Sequence, residues 1–151
     1  MANYVLTGKD TITIGNRVLN DFADGDAVKI TFPNDIVKIK TGKNQTTIFA
    51  KDETGNNCDV EMRLLRGSAD DRYFKSQFAS YKKDPAAYQL FFGRAIKRLG
   101  DGLGSVVSDV IDLSAGVQVR EVDYQDNSEG DTNQAVAIYH FKFAIGSSSI
   151  G

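Results

Sequence analysis

The stretch Gln134-Ala-Val-Ala-Ile-Tyr-His-Phe-Lys-Phe-Ala-Ile145 decides the architecture. Its odd face carries Tyr139, Phe141, Phe143 and Ile145, and its even face carries Val136, Ile138, His140 and Lys142. Aromatic and β-branched residues at period two predict a strand. A strand that is apolar on both faces needs cover on both sides, whereas a lone sandwich leaves one face wet and polar. That cover comes either from a helix or from another subunit.

Alternation continues outward from this strand. Cys58, Val60, Met62 and Leu64 face one way, and Asp59, Glu61 and Arg63 the other. Ala27 to Phe32 places Val28, Ile30 and Phe32 inward. Shorter strands are expected over Asp10 to Ile14, Arg17 to Leu19 and Ile36 to Lys40. Two more are expected over Val106 to Leu113 and Val117 to Tyr124, separated by Ser114-Ala-Gly. Ala87 to Leu99 reads as a second two-faced strand, with Tyr88, Leu90, Phe92 and Ile96 against Gln89, Phe91, Gly93 and Lys97. Turns are expected at Gly15-Asn16, at Ala23-Asp-Gly-Asp26, where Asp-Gly supplies a positive φ, and at Thr54 to Asn57. Gln125 to Thr132 is a polar loop, and Gly146 to Gly151 a Ser/Gly tail.

The period changes only between Ser68 and Lys83. Phe74, Phe78 and Tyr81 recur at i, i+4 and i+7, the stripe of an amphipathic helix. Ser68 is a suitable N-cap with Asp71 three residues on. Asp70 and Asp71 sit at the positive end of the helix dipole, Lys82 and Lys83 at the negative end, and Pro85 stops the helix. The fold class expected is mainly β: a two-sheet β-sandwich or barrel with one flanking α-helix.

Composition agrees with a single globular domain over residues 1–151. Of 151 residues, 41% are hydrophobic and 25% charged, which are globular values. The net charge of −2 argues against a basic nucleic-acid binder. One cysteine, Cys58, permits no intrachain disulfide and no cysteine-based zinc site, and one histidine, His140, permits no two-histidine metal site. The N-terminus lacks the basic and apolar regions of a signal peptide, and no run approaches a membrane span. A reducing cytoplasm is the expected place of synthesis.

No motif assembles an active site. Gly100-x-Gly102-x-Gly104 is one residue short of the dinucleotide fingerprint and precedes a strand, not a helix. Gly8-Lys9 and Gly42-Lys43 lack the upstream glycine and the downstream Ser/Thr of a phosphate loop. The acidic runs Asp21 to Asp26 and Asp123 to Asp131 miss the EF-hand spacing. His140 sits mid-strand between aromatic residues, and Cys58 opens an alternating strand as a small core residue. The expectation is no enzyme, no cofactor and no metal.

Several segments together are similar to the tail tube proteins of contractile-tailed bacteriophages, a phage structural protein family. They are Leu6-Thr-Gly-Lys-Asp-Thr-Ile-Thr-Ile, Leu19-Asn-Asp-Phe-Ala-Asp-Gly-Asp-Ala-Val, Phe32-Pro-Asn-Asp, Lys40-Thr-Gly-Lys-Asn, Arg66-Gly-Ser-Ala-Asp-Asp, Asp84-Pro-Ala-Ala and Glu129-Gly-Asp-Thr-Asn-Gln-Ala-Val-Ala-Ile-Tyr. The resemblance runs from about Tyr4 to Gly151. It implies hexameric rings stacked into a virion tail tube, inside a contractile sheath, through which genome DNA passes during ejection. The tube would be assembled in the host cytoplasm. Implied partners are other copies of the chain and the sheath, baseplate, tail-terminator and tape measure proteins. DNA would transit without sequence-specific binding, and no membrane is involved. If each subunit gives four strands to a shared inner barrel, six give 24, and at about 4.8 Å spacing and about 40° tilt the backbone diameter is roughly 48 Å. A duplex fits. Which residues line the lumen stays open. A secretion-system tube exporting proteins is the alternative, with a small soluble ligand-binding β domain behind it.

One segment stands out for stacking. Lys40 to Asn57 is polar, with Ile48 and Phe49 as an apolar pair, and reads as a projecting arm between rings. Lys43, Asn44, Gln45, Ile48 and Phe49 are the candidate inter-ring contacts. The other reading is a simple hairpin inside the subunit, with Thr46, Ile48 and Ala50 on one face.

Overall fold

The structure is a computed structural model that describes residues 4–15, 17–20, 22, 28–124 and 135–150, at 7–9 by backbone alone. The expected turn at Ala23 to Asp26, the loop at Gln125 to Thr132, and the single positions Asn16, Ala27, Gln134 and Gly151 lie outside those residues.

The alternating segments form strands because each has one face to bury. β6 (Cys58–Leu65) buries Cys58, Val60, Met62 and Leu64 and turns Asp59, Glu61 and Arg63 outward. Its partner β10 (Val136–Ile150) sets Ala137, Tyr139, Phe141 and Phe143 opposite those four apolar residues, so the two rows share one face. β3 (Val28–Thr31) pairs on the far side of β6, with Val28 and Ile30 half-buried. Phe32 lies past the strand end and packs over Gly146, where a Cβ would come within 2.9 Å of its ring.

The main sheet is antiparallel and eight-stranded. β1 (Val5–Ile14), β2 (Arg17–Val18), β7 (Phe91–Gly100) and β8 (Val106–Gln118) complete its path in the order β2-β1-β7-β8-β10-β6-β3, and β9 (Asp123–Tyr124) pairs with β10. Ile12 of β1, Ile30 of β3, Ala95 of β7 and Ile111 of β8 line one cavity, so the two ends of this sheet curl toward each other. A second sheet has two strands, β4 (Val37–Thr41) and β5 (Thr47–Lys51). The fold is thus mainly β with two sheets and one α-helix, and the main sheet does not close into a barrel among the described residues.

α1 (Ala69–Lys83) lies against the row shared by β6 and β10. The Ser68 hydroxyl accepts from the Asp71 N–H, as expected of the N-cap. Phe74 is the helix's deepest side chain, with ring centroids 5.2 Å from Phe141, 5.6 Å from Tyr139 and 6.0 Å from Phe91. The expected stripe is therefore graded. Phe78 and Tyr81 are only half-buried and stack on each other at 6.4 Å.

Several sequence expectations are corrected. Pro85–Ala87 forms a 3₁₀ turn, so β7 begins at Phe91, not Ala87. Of its two expected faces, the one with Phe91 and Gly93 is buried and the one with Phe92 is exposed at its start. Ser114-Ala-Gly does not separate two strands. β8 runs through it with a bulge at Ala115, φ +56°, where Phe91 pairs with Gly116 but Gly93 with Leu113. The Ser/Gly tail is strand, since β10 pairs with β8 out to Ile150. Flexible composition yields to a partner that supplies the ladder hydrogen bonds. Of the strand expected over Val117 to Tyr124, Val117 and Gln118 close β8 and only Asp123 and Tyr124 are strand beyond them.

Candidate assembly surface

The β4–β5 hairpin projects from the main sheet. Its turn is closed by Gln45 N–H to Gly42 O at 3.0 Å and Gly42 N–H to Thr46 O at 2.9 Å, with Gln45 at φ +65°. That is the geometry of a three-residue hairpin loop ending in a left-handed residue. The base is held more firmly. Asp52 N–H donates to Ile36 O at 2.7 Å, and Lys38 Nζ lies 3.0 Å from the Asp52 carboxylate. Asp52 also accepts from the Thr54 N–H and hydroxyl at 3.0 and 2.8 Å. The Lys38 contact, then the Thr54 bonds, draw the Asp52 carboxyl down to a pKa of about 2. Gly55 lets its backbone pass the Ile36 backbone, where a Cβ would collide.

All ten strand residues of the hairpin are exposed. Ile39 pairs with Phe49 and Lys40 with Ile48, so Ile48 and Phe49 lie on opposite faces. Ile48 is 66% exposed and Phe49 67%. Lys43, Asn44 and Gln45 form the tip. Both sequence readings thus contain part of the geometry: the segment is a hairpin, with Ile48 and Ala50 on one face, but it stands apart from the main sheet. Residues 36–51 hold four lysines and no acidic residue. Lys38 and Lys51 pair with Asp52 and Glu53, while Lys40 and Lys43 have no ion-pair partner among the described residues.

A second exposed apolar cluster went unread in the sequence. Leu6 pairs with Leu99, Val5 and Val106 with Gly100, and Ile150 with Asp109, so the start of β1, the β7–β8 turn and the end of β10 share one end of the sheet. Tyr4, Val5, Leu6, Leu103, Val106 and Ile150 are all exposed there, with Val5 and Val106 on one face of the sheet and Leu6 and Ile150 on the other, so the apolar surface wraps the end. These residues lie far apart along the chain, so no local pattern marks the grouping. In the turn between them, the Asp101 carboxylate accepts from the Leu103 and Ser105 N–H groups at 2.7 and 3.1 Å.

The single histidine and cysteine have ordinary surroundings. Arg120 can only donate, so His140 Nδ1 accepts from it at 3.2 Å and Nε2–H donates to Asp123 at 2.7 Å. Lys29 lies opposite Glu61, Glu61 opposite His140 and Asp59 opposite Lys142, a charge ladder across the outer face of the sheet. Cys58 is buried, and burial, with Asp59 beside it, pushes its thiol up to about 11. It is a core residue without thiolate character at neutral pH. No group of three or more His, Cys, Asp or Glu suited to a metal ion occurs among the described residues.

No protein-family model matches the sequence, and no curated protein matches it. Solved structures do. A chain of the sheath–tube complex of an extracellular contractile injection system (PVC), in its extended state, superposes with a TM-score of 0.56 at 6% identity, over 97% of this chain and 90% of that one. A chain of the baseplate of the anti-feeding prophage covers 94% of this chain and 90% of its own, at 12% identity and a TM-score of 0.42. At such identities the likeness is one of fold, and the first match carries it. The chain shares the fold of that chain of the contractile injection system's sheath–tube complex.

Proposed function

We propose that the protein is the tube subunit of a contractile bacteriophage tail. Six copies form a ring, rings stack inside a sheath, and the lumen conducts genome DNA at ejection. The reading rests chiefly on the hairpin: a cationic projection held at its base, with Val37, Ile39, Ile48 and Phe49 exposed, on a fold similar to that of a contractile-injection component. Exposed apolar residues on a projecting element mark a contact surface. Partners on this reading are further copies, the sheath and the baseplate, with terminator and tape measure proteins at the tube's ends and core. The chain acts as a structural part, not as an enzyme, and resides in the virion tail. A net charge of −2 suits a conduit, because tightly held phosphate would slow DNA transit.

The second reading, a tube that exports proteins, is favoured by the nature of the superposed complex, an extracellular injection system. Electron microscopy of the purified protein at high concentration tests what the two readings share. Six-fold rings and stacked tubes are the expected result, and a strictly monomeric protein under all salt conditions overturns both. The neighbouring genes then separate them, phage tail morphogenesis genes against an injection cluster.

A further inference from the structure

Resting on the tube-subunit reading, we infer that the hairpin of one copy docks on the apolar end of the main sheet of a copy in the next ring, at Val5, Leu6, Leu103, Val106 and Ile150. Two observations lead there. The chain carries two separate exposed apolar clusters: the hairpin (Ile39, Ile48, Phe49) and the sheet end, where Leu103 at the tip of the β7–β8 turn is 89% exposed. Two different patches on one chain that meet each other make a head-to-tail contact, which closes into a ring where its rotation closes and builds a filament where it does not; a contact between successive rings is of the second kind. A patch meeting its own copy would instead close a dimer.

Charge supports the pairing. The hairpin is wholly cationic, with Lys40 and Lys43 unpaired among the described residues. Among Tyr4 to Leu6, Gly100 to Val106 and Ile150, the single charged side chain is Asp101. A sheet end with Asp101 in its turn and Asp109 opposite Ile150 suits hairpin strands that expose apolar side chains beside lysines, and desolvation on docking strengthens the attraction. Both partners are built on β-hairpins fixed at their bases, so little order is lost when they meet.

Cysteine pairing tests this directly. Phe49→Cys and Leu103→Cys are introduced singly and together; Cys58 is buried and stays. Oxidation of assembled tubes should give the double variant a covalent ladder extending beyond six copies, while each single variant stays monomeric on a non-reducing gel; a ladder that stops at six would place the contact within a ring and overturn the assignment. Tubes that form without a ladder overturn the docking assignment and leave the tube reading standing. Disulfide dimers from Phe49→Cys alone would mean that hairpin meets hairpin, and also overturn it. If the unmodified chain forms no rings or tubes, the tube reading fails and this inference with it. Leu103→Ser with Val106→Ser gives an independent check. It should keep the fold by circular dichroism and shorten tubes to single rings, and full-length tubes from this variant would contradict the assignment.

Discussion

Asp71 joins the helix to the sheet. It is buried, receives the Tyr139 hydroxyl in a short hydrogen bond, and also accepts from the Gly67 N–H at 2.8 Å. Lys75 Nζ lies 3.1 Å away, one turn along. Burial alone would raise the Asp71 pKa, but Tyr139, Gly67 and Lys75 together outweigh it and hold the carboxyl below its ordinary value. A depressed folded-state pKa means the contribution to stability is present above the unfolded value and lost as pH falls through the folded one. Acid denaturation followed by circular dichroism should therefore show a flatter acid limb for Asp71→Asn than for the unmodified chain. Tyr139→Phe removes the hydroxyl and leaves a buried carboxylate oxygen short of a donor, at a cost of about 1–3 kcal/mol in urea unfolding. Equal stability of the two chains would show that water replaces the hydroxyl.

Among the elements, the helix and the bulged strand β8 give separate tests. Phe74 sits among Phe91, Tyr139 and Phe141 with no exposed surface. Phe74→Ala should cost about 3–5 kcal/mol. Phe78 keeps one side in solvent, under Lys82 and against Tyr81, so Phe78→Ala should cost only about 1–2 kcal/mol. Equal losses at the two positions would mean that the helix sits deeper than this packing shows. In β8, Ala115 holds a left-handed conformation that disfavours a side chain. Ala115→Gly should raise stability by about 1 kcal/mol, read as a higher urea midpoint at unchanged slope. A loss instead would mean that unfolded-chain entropy outweighs the relieved strain.

For the whole molecule, stability and assembly are carried by different residues. The buried core runs through β1, β6, β7, β8, β10 and α1, and no hairpin residue belongs to it. Ile48→Ser with Phe49→Ser should therefore leave the thermal midpoint within about 4 °C, since each exposed substitution away from special features changes stability by about 0.5 kcal/mol or less. The same variant should form single rings and no long tubes in electron micrographs. Normal tubes, or a variant that does not fold, would each overturn the arm assignment.

Local pattern alone determined the strand identity of β6 and β10 and the N-cap and span of α1, whereas the hairpin starts at Val37, three residues before the segment that composition set apart. In β6, β10 and α1, side-chain period or capping chemistry acts within a few residues, and tertiary contacts agree with it. The contacts between distant strands decided the rest. β8 passes through Ser114-Ala-Gly, and β10 through Gly146-Ser-Ser-Ser, because each offers the other a ladder that composition does not announce. The bulge at Ala115 exchanges faces within β8, so that Leu113 before it and Gly116 and Gln118 after it are all buried. The apolar sheet end draws on residues up to 145 positions apart, Val5 and Ile150. Its members gather only when the sheet is assembled, because register across strands, not neighbourhood along the chain, places them together.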